Sequence, residues 1–178
     1  MEIKAKGKLD FKAIKALTHL TMFKKANPKK SFLTLLIILT VLTGILVFEM
    51  IFFSDYTLLL SLTLSLDFFL VLLLCYSYFL LPKITYKSMA KMKDAENEYI
   101  FYDGFLKGFT KINEYNAEAR IEYSSLVKVY ETSKYLFLYQ TKQQAYIVDK
   151  STIEGGTVEE IRNNISAFLK DKYIICKY

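Results

Sequence analysis

Two long, uninterrupted stretches of apolar residues dominate the first half of the chain. The first covers residues 31–53 and reads SFLTLLIILTVLTGILVFEMIFF. As a helix rising about 1.5 Å per residue, it is long enough to cross the roughly 30 Å hydrocarbon core of a bilayer. The second covers residues 56–81, and only Ser54 and Asp55 separate the two. The pattern therefore predicts two transmembrane helices joined as a tight antiparallel hairpin.

The pattern changes after a lysine-rich connector over residues 82–94. Across residues 95–178 the apolar runs become short and alternate with polar positions, as half-buried strands require. Asp103-Gly104 lies between two such runs, which is the strongest short signal of a β-hairpin. The predicted strands are Glu98 to Tyr102, Phe105 to Ile112, Ala119 to Tyr123, Leu126 to Thr132, Tyr135 to Gln140 and Ala145 to Asp149.

A helix is predicted after these strands, over residues 157–172. Thr157 and Glu160 have the spacing of a capping box. Ile161, Ile165 and Leu169 then fall on one side of the helix, which would cover a sheet face or close a barrel. The predicted fold is thus a membrane α-helical hairpin plus a small cytoplasmic α+β domain, an antiparallel β-barrel or sheet with a C-terminal helix.

Residues 1–30 form a basic segment with an amphipathic helix predicted over residues 10–25. Asp10 is its expected N-cap. The helix could lie in the membrane interface, which its lysines favour, or pack on the soluble domain. His19 is the only histidine and is expected at the surface, while Met1 to Leu9 could form a short strand.

The positive charge is concentrated beside the apolar stretches. The chain has a net charge of +6, yet residues 1–30 carry nine lysines against Glu2 and Asp10, whereas residues 95–178 are nearly neutral. This location favours contact with anionic lipid rather than nucleic acid. The expected lipid-contacting residues are Lys12, Lys15, Lys24, Lys25, Lys29, Lys30, Lys83 and Lys87. Lysines precede the first stretch and follow the second, whereas the turn between the stretches has none, so both termini are predicted to be cytoplasmic.

Two acidic residues lie within the apolar stretches and are candidate functional residues. Glu49 is near the outer end of the first stretch, where its carboxylate can reach the interface. Asp67 is deep in the second stretch, where no basic residue can pair with it. It could be a neutral acid bonded to Thr63, Thr40 or Thr43, an oligomer contact, or part of an ion path.

No catalytic or metal-binding set is apparent in the sequence, so an enzyme and a cofactor are not expected. The two cysteines are Cys75, inside the second apolar stretch, and Cys176, near the C-terminus. His19 belongs to the basic helix, so neither cysteine has a plausible histidine partner.

Residues 121–153, IEYSSLVKVYETSKYLFLYQTKQQAYIVDKSTI, resemble the C-terminal domain of the YcxB-like family of bacterial membrane proteins. The resemblance rests on Tyr123-Ser124, Glu131-Thr132, the run from Tyr135 to Tyr139, and Asp149-Lys150. It implies a protein of the bacterial cytoplasmic membrane with a pleckstrin-homology-like (PH-like) C-terminal tail, and no defined activity. Glu131 and Lys150 are expected at solvated strand ends.

The favoured function is a membrane-anchored binding or scaffold module that recognises a protein or a lipid at the cytoplasmic face. The alternative is a homo-oligomeric transport, immunity or stress-related membrane component that uses Asp67. Two helices cannot enclose a pathway, so this alternative requires oligomerisation.

Overall fold

The computed structural model describes residues 2–23, 27–52, 57–89, 95–112 and 115–176. Its helices are α1 (Phe11–Phe23), α2 (Pro28–Phe52), α3 (Thr57–Cys75), α4 (Leu81–Ser88) and α5 (Val158–Leu169). Its strands are β1 (Ile3–Lys8), β2 (Glu96–Phe101), β3 (Phe105–Ile112), β4 (Tyr115–Glu122), β5 (Lys128–Glu131), β6 (Tyr135–Tyr139), β7 (Ala145–Asp149) and β8 (Tyr173–Ile175). The predicted strands and the C-terminal helix are therefore present, with ends shifted by a few residues in most of them.

The first sheet is antiparallel and has the order β1-β2-β3-β4. Its first strand comes from the N-terminal segment, because β1 pairs along β2 with Ile3 opposite Phe101 and Lys8 opposite Glu96. The short strand suggested for Met1 to Leu9 is thus present. The sheet extends beyond residues 95–178 and joins parts of the chain that lie on either side of the two apolar helices.

The second sheet has the order β7-β6-β5-β8, in which β8 pairs parallel to β5. The two sheets and α5 share one hydrophobic core, which includes Phe101, Tyr123, Leu136 and Ile161. Helix α5 begins with the predicted capping box: the Thr157 hydroxyl accepts from the Glu160 amide, and the Glu160 carboxylate accepts from the Thr157 amide. The sequence did not predict the three-residue strand β8.

Helix α1 covers the outer face of the second sheet. Asp10 caps it, since its carboxylate accepts a 2.7 Å hydrogen bond from the Ala13 amide. Its buried side chains pack in a second cluster with Tyr135, Phe137 and Tyr139 of β6. All five residues of β6 are therefore buried. Of the two placements considered for this helix, the structure shows packing on the sheet domain.

Helices α2 and α3 are long and apolar enough to cross a membrane. Their candidate spans are Pro28–Glu49 and Ser61–Ser88, of which 0% and 6%, respectively, of the most apolar window is buried within the chain. Ser54 and Asp55 lie outside the described residues, so the predicted turn is not described. Helix α3 continues through a π-helical turn, Tyr76–Leu80, into α4. Pro82 lies in the first turn of α4, where a proline is tolerated.

Candidate functional site at the junction of helices and sheets

A neighbouring element supplies a hydrogen bond to the helix just before Pro82. Pro82 has no amide hydrogen for the Tyr78 carbonyl, four residues earlier. The Nε2 atom of His19 lies 3.1 Å from this carbonyl oxygen, and the His19 and Tyr78 rings stack with centroids 4.5 Å apart. Since a carbonyl only accepts, Nε2 carries the hydrogen and donates it. Helix α1 is thereby joined to the end of the apolar hairpin.

His19 is consequently buried, with 5% of its surface exposed, and its expected surface position was wrong. Burial lowers the pKa of His19; the hydrogen bond to the Tyr78 carbonyl opposes this effect, and the nearby charge of Lys15 adds to it. The ring therefore favours the neutral form with its hydrogen on Nε2. Its role here is structural: it connects the helix over the sheet with the helix leaving the hairpin.

A crevice of about 290 Å³ opens beside this contact. Its lining includes the face of α1 that carries Lys12, Lys15 and His19, and Pro28, the first residue of α2. The turn between β5 and β6, with Lys134, also lines it. Three lysines from two distant parts of the sequence therefore surround one small cavity, which we call the lysine crevice.

The other predicted lipid-contacting residues lie outside the lysine crevice. Lys29 and Lys30 are exposed in the first turn of α2, and Lys83 and Lys87 are exposed one turn apart on α4. Lys24 and Lys25 lie outside the described residues. No local pattern indicates that Lys134 would join Lys12 and Lys15, because it occurs in a turn more than one hundred residues later.

Glu131 is buried at the end of β5, so its expected position at a solvated strand end was wrong. Arg162 donates two hydrogen bonds to its carboxylate, of 2.7 and 2.8 Å, and Tyr173 donates one of 2.7 Å. The ammonium group of Lys150 lies 3.0 Å from the same carboxylate and is also largely buried. Burial alone would raise the pKa of Glu131, but these donors together lower it to about 2. The cluster holds β5, β8, α5 and the end of β7 together.

Asp67 finds a partner within its own hairpin. Thr43 Oγ1 of α2 lies 2.8 Å from the Asp67 carboxylate and 2.9 Å from the Leu39 carbonyl oxygen. Thr43 was one of the three hydroxyl partners considered from the sequence. Oligomerisation or ion movement at Asp67 stays a prediction, and Glu49 is exposed near the far end of α2. Asp67 and the lysine crevice are thus different sites, at different depths of the hairpin.

Among the described residues, no group of three or more His, Cys, Asp or Glu side chains is placed to hold a metal ion. In a comparison with known families, the family model described as YcxB-like protein matches residues 101–165. The resemblance drawn from the sequence is confirmed over this segment, which contains β3 to β7 and part of α5. No curated protein and no solved structure matches the chain.

Proposed function

We propose that this chain, with its YcxB-like segment, is a membrane-anchored, non-enzymatic scaffold protein. Its apolar hairpin crosses the bacterial cytoplasmic membrane twice, and its sheet domain is PH-like and faces the cytoplasm. There it presents a binding surface to a protein or to a lipid head group.

The pairing of β1 with β2 carries this proposal. These strands lie immediately before and after the helical part of the chain, yet they are neighbours in one sheet from Ile3–Phe101 to Lys8–Glu96. A folded sheet cannot have adjacent strands on opposite sides of a bilayer. Any crossing by α2 must therefore be reversed by α3, which supports two crossings with both ends on one side.

The exposure of the two helices supports insertion into a membrane. Large apolar side chains such as Phe48, Ile51 and Leu66 are 58–74% exposed. An apolar surface of this extent is normally covered by lipid or by another protein. By the positive-inside rule, the lysines beside both helices support a cytoplasmic location for the two ends of the chain.

The attachment of the domain to the hairpin supports a scaffold role. Besides the β1–β2 pairing, α1 packs on β6 and donates the His19 hydrogen bond to the end of the hairpin. The sheets are thus held at a fixed position relative to α4 rather than on a flexible linker. Two sheets around one core with a C-terminal helix also suit a PH-like domain, which is a binding fold rather than a catalytic one.

The predicted orientation can be tested with two single-cysteine variants, Glu2→Cys and Ser151→Cys, in a Cys75→Ala, Cys176→Ser background. Both sites are exposed. We expect a membrane-impermeant maleimide to label neither cysteine in spheroplasts and both after permeabilisation. Labelling of either cysteine in intact spheroplasts would contradict the proposed topology.

The binding role can be tested by site-specific photocrosslinking in cells. Phe168 of α5 and Ile175 of β8 are apolar side chains of the domain that are about half exposed, at 50% and 52%. A photoreactive phenylalanine at these positions is expected to give a defined protein or lipid adduct. The same residue at exposed Gln143, in the β6–β7 turn, is the control. Identical background adducts at all three positions would count against a binding surface.

A further inference from the structure

The geometry points to the lysine crevice as a specific site for the phosphate group of one anionic phospholipid. This inference rests on the proposed function, since the crevice reaches lipid only if the hairpin is inserted. It differs from the general attraction between lysines and an anionic membrane, because it assigns one saturable site to three particular lysines. Lys134 is one of them, although it is far from the apolar stretches in sequence.

The charges around the crevice favour an anion. Among the described residues, neither Lys12 nor Lys15 forms an ion pair. The Lys15 ammonium group faces an aromatic ring rather than a carboxylate, since its Nζ atom lies 5.9 Å from the centroid of the Tyr78 ring. Two carboxylates lie nearby, and both are engaged. Asp10 caps α1, while Asp149 accepts from Ser151 and lies 3.7 Å from Lys134 Nζ. Lys12 and Lys15 therefore remain available for a phosphate.

A second observation concerns Tyr135, a residue that also lines the crevice and whose hydroxyl group is buried. Tyr135 is 5% exposed, and its hydroxyl has no acceptor for its hydrogen within the described residues, whereas the neighbouring Lys134 can only donate to it. Lys134 Nζ lies 5.1 Å from the centroid of this ring. Buried hydroxyl groups normally have a partner, because leaving one unpaired is unfavourable. A phosphate oxygen beside Lys134 is an acceptor of the kind that this hydroxyl lacks.

The position and size of the crevice suit a lipid head group. Pro28, in its lining, precedes by three residues the point where the first apolar stretch begins at Ser31. In an inserted hairpin, this level corresponds to the phosphates of the cytoplasmic leaflet. A volume of about 290 Å³ lies at the lower end of ligand sites and fits a head group better than a large metabolite.

The test uses the full-length protein, delipidated in a mild non-ionic detergent, with native mass spectrometry to count bound lipid. Phosphatidylglycerol is titrated, and phosphatidylcholine, which is zwitterionic with no net charge, serves as the control. We expect the wild-type protein to bind one molecule of phosphatidylglycerol as this lipid is added. The double variant K12Q/K15Q should bind it at least about tenfold more weakly. The matched control is K29Q/K30Q, which removes the same charge from exposed lysines at the same level, and it should lose less than about threefold.

Tyr135→Phe provides a variant that leaves the charge unchanged. We expect weaker binding, by about threefold, with little change in thermal stability, because the hydroxyl donates to no acceptor in the lipid-free protein. Equal losses in K12Q/K15Q and K29Q/K30Q would show diffuse attraction and overturn the inference. Binding unchanged in both K12Q/K15Q and Tyr135→Phe would also overturn it.

A parallel titration with soluble glycerol phosphate identifies the source of the phosphate. Weak binding of this compound, with strong binding of phosphatidylglycerol, assigns the site to a lipid. Equal affinity for both would overturn the lipid assignment and identify a site for a soluble phosphate ester. If no specific lipid site is found but maleimide labelling is as expected, the scaffold proposal stands without the lipid site. If labelling shows the opposite orientation, neither the scaffold proposal nor the lipid site has a basis.

Discussion

Replacing Glu131 with glutamine is expected to lower the free energy of unfolding of the sheet domain by about 3 kcal/mol. The carboxylate is 2% exposed and receives hydrogen bonds from Arg162, Lys150 and Tyr173. Removal of its charge leaves Lys150 without its acidic partner and Arg162 with only the exposed Glu159, 3.8 Å away, and breaking a buried ion pair in this way typically costs about 3–5 kcal/mol. The lowering of its pKa from 4.5 to about 2 gives a similar magnitude, at about 1.4 kcal/mol per unit.

Cys176 gives a convenient measurement of this loss. Its amide donates a 2.7 Å hydrogen bond to the Glu131 carbonyl oxygen, and Cys176 is 3% exposed. In a Cys75→Ala background, a thiol-reactive dye should react with Cys176 when the domain unfolds. We expect Glu131→Gln to lower the midpoint of thermal unfolding measured in this way by roughly 10 °C. The matched control is Glu118→Gln, whose partner Lys107 lies 3.2 Å away at the surface. It should change stability by less than about 1 kcal/mol.

The same variant predicts a dependence on pH. Because folding lowers the pKa of Glu131, its contribution is fully present above its ordinary pKa of 4.5 and is lost as the pH falls towards 2. The stability difference between wild type and Glu131→Gln should therefore be constant near neutral pH and shrink below about pH 4.5. A difference that stayed constant down to pH 3 would contradict the assignment of this carboxylate as the charged partner.

Replacing Gly7 with alanine is expected to displace β1 from the first sheet. A Cβ atom at this position would overlap the carbonyl oxygen of Ile147 in β7 and come within 2.7 Å of the Tyr99 ring. The carbonyl belongs to the backbone of a paired strand and cannot move aside as a side chain can. We expect a loss of at least about 2–3 kcal/mol, at the upper end of overpacking effects. Hydrogen exchange should show faster exchange in β1 and in its partner β2.

Gly108→Ala is the matched control for this substitution. Gly108 is also a sheet glycine beside Tyr99, but a Cβ there would lie 3.6 Å from that ring, an ordinary contact. Since alanine reduces the flexibility of the unfolded chain, this variant should be neutral or stabilised by about 0.5 kcal/mol. Similar losses in the two variants would show that the close crossing of β1 over β7 is not the cause.

Features that depend on residues close together in the sequence were predictable from it. The continuous apolar stretches gave both long helices, the alternation of apolar and polar residues gave β2 to β7, and Thr157 and Glu160 marked the start of α5. The hydrogen bond from His19 to the Tyr78 carbonyl was not predictable in this way, because the two residues are 59 positions apart in the chain.

The errors in the candidate sites have the same origin. Glu131 looked like a solvated strand end because its partner Arg162 is 31 residues later, and no local pattern shows that the two meet. His19 looked exposed because a lone histidine in a lysine-rich helix carries no sign of an aromatic partner. The lysine crevice could be half predicted: Lys12 and Lys15 were expected beside lipid, whereas Lys134 and Tyr135 approach them only because α1 packs on β6.

The pairing of β1 with β2 also sets an order of events during synthesis of the chain. Strand β1 leaves the ribosome first, but its partner follows only after both long apolar helices have been made. The first sheet cannot be completed until then, so membrane insertion is expected to precede folding of the domain. A fragment that starts at residue 95 would lack β1 and would expose the edge of β2, with Phe101 of the core left partly uncovered.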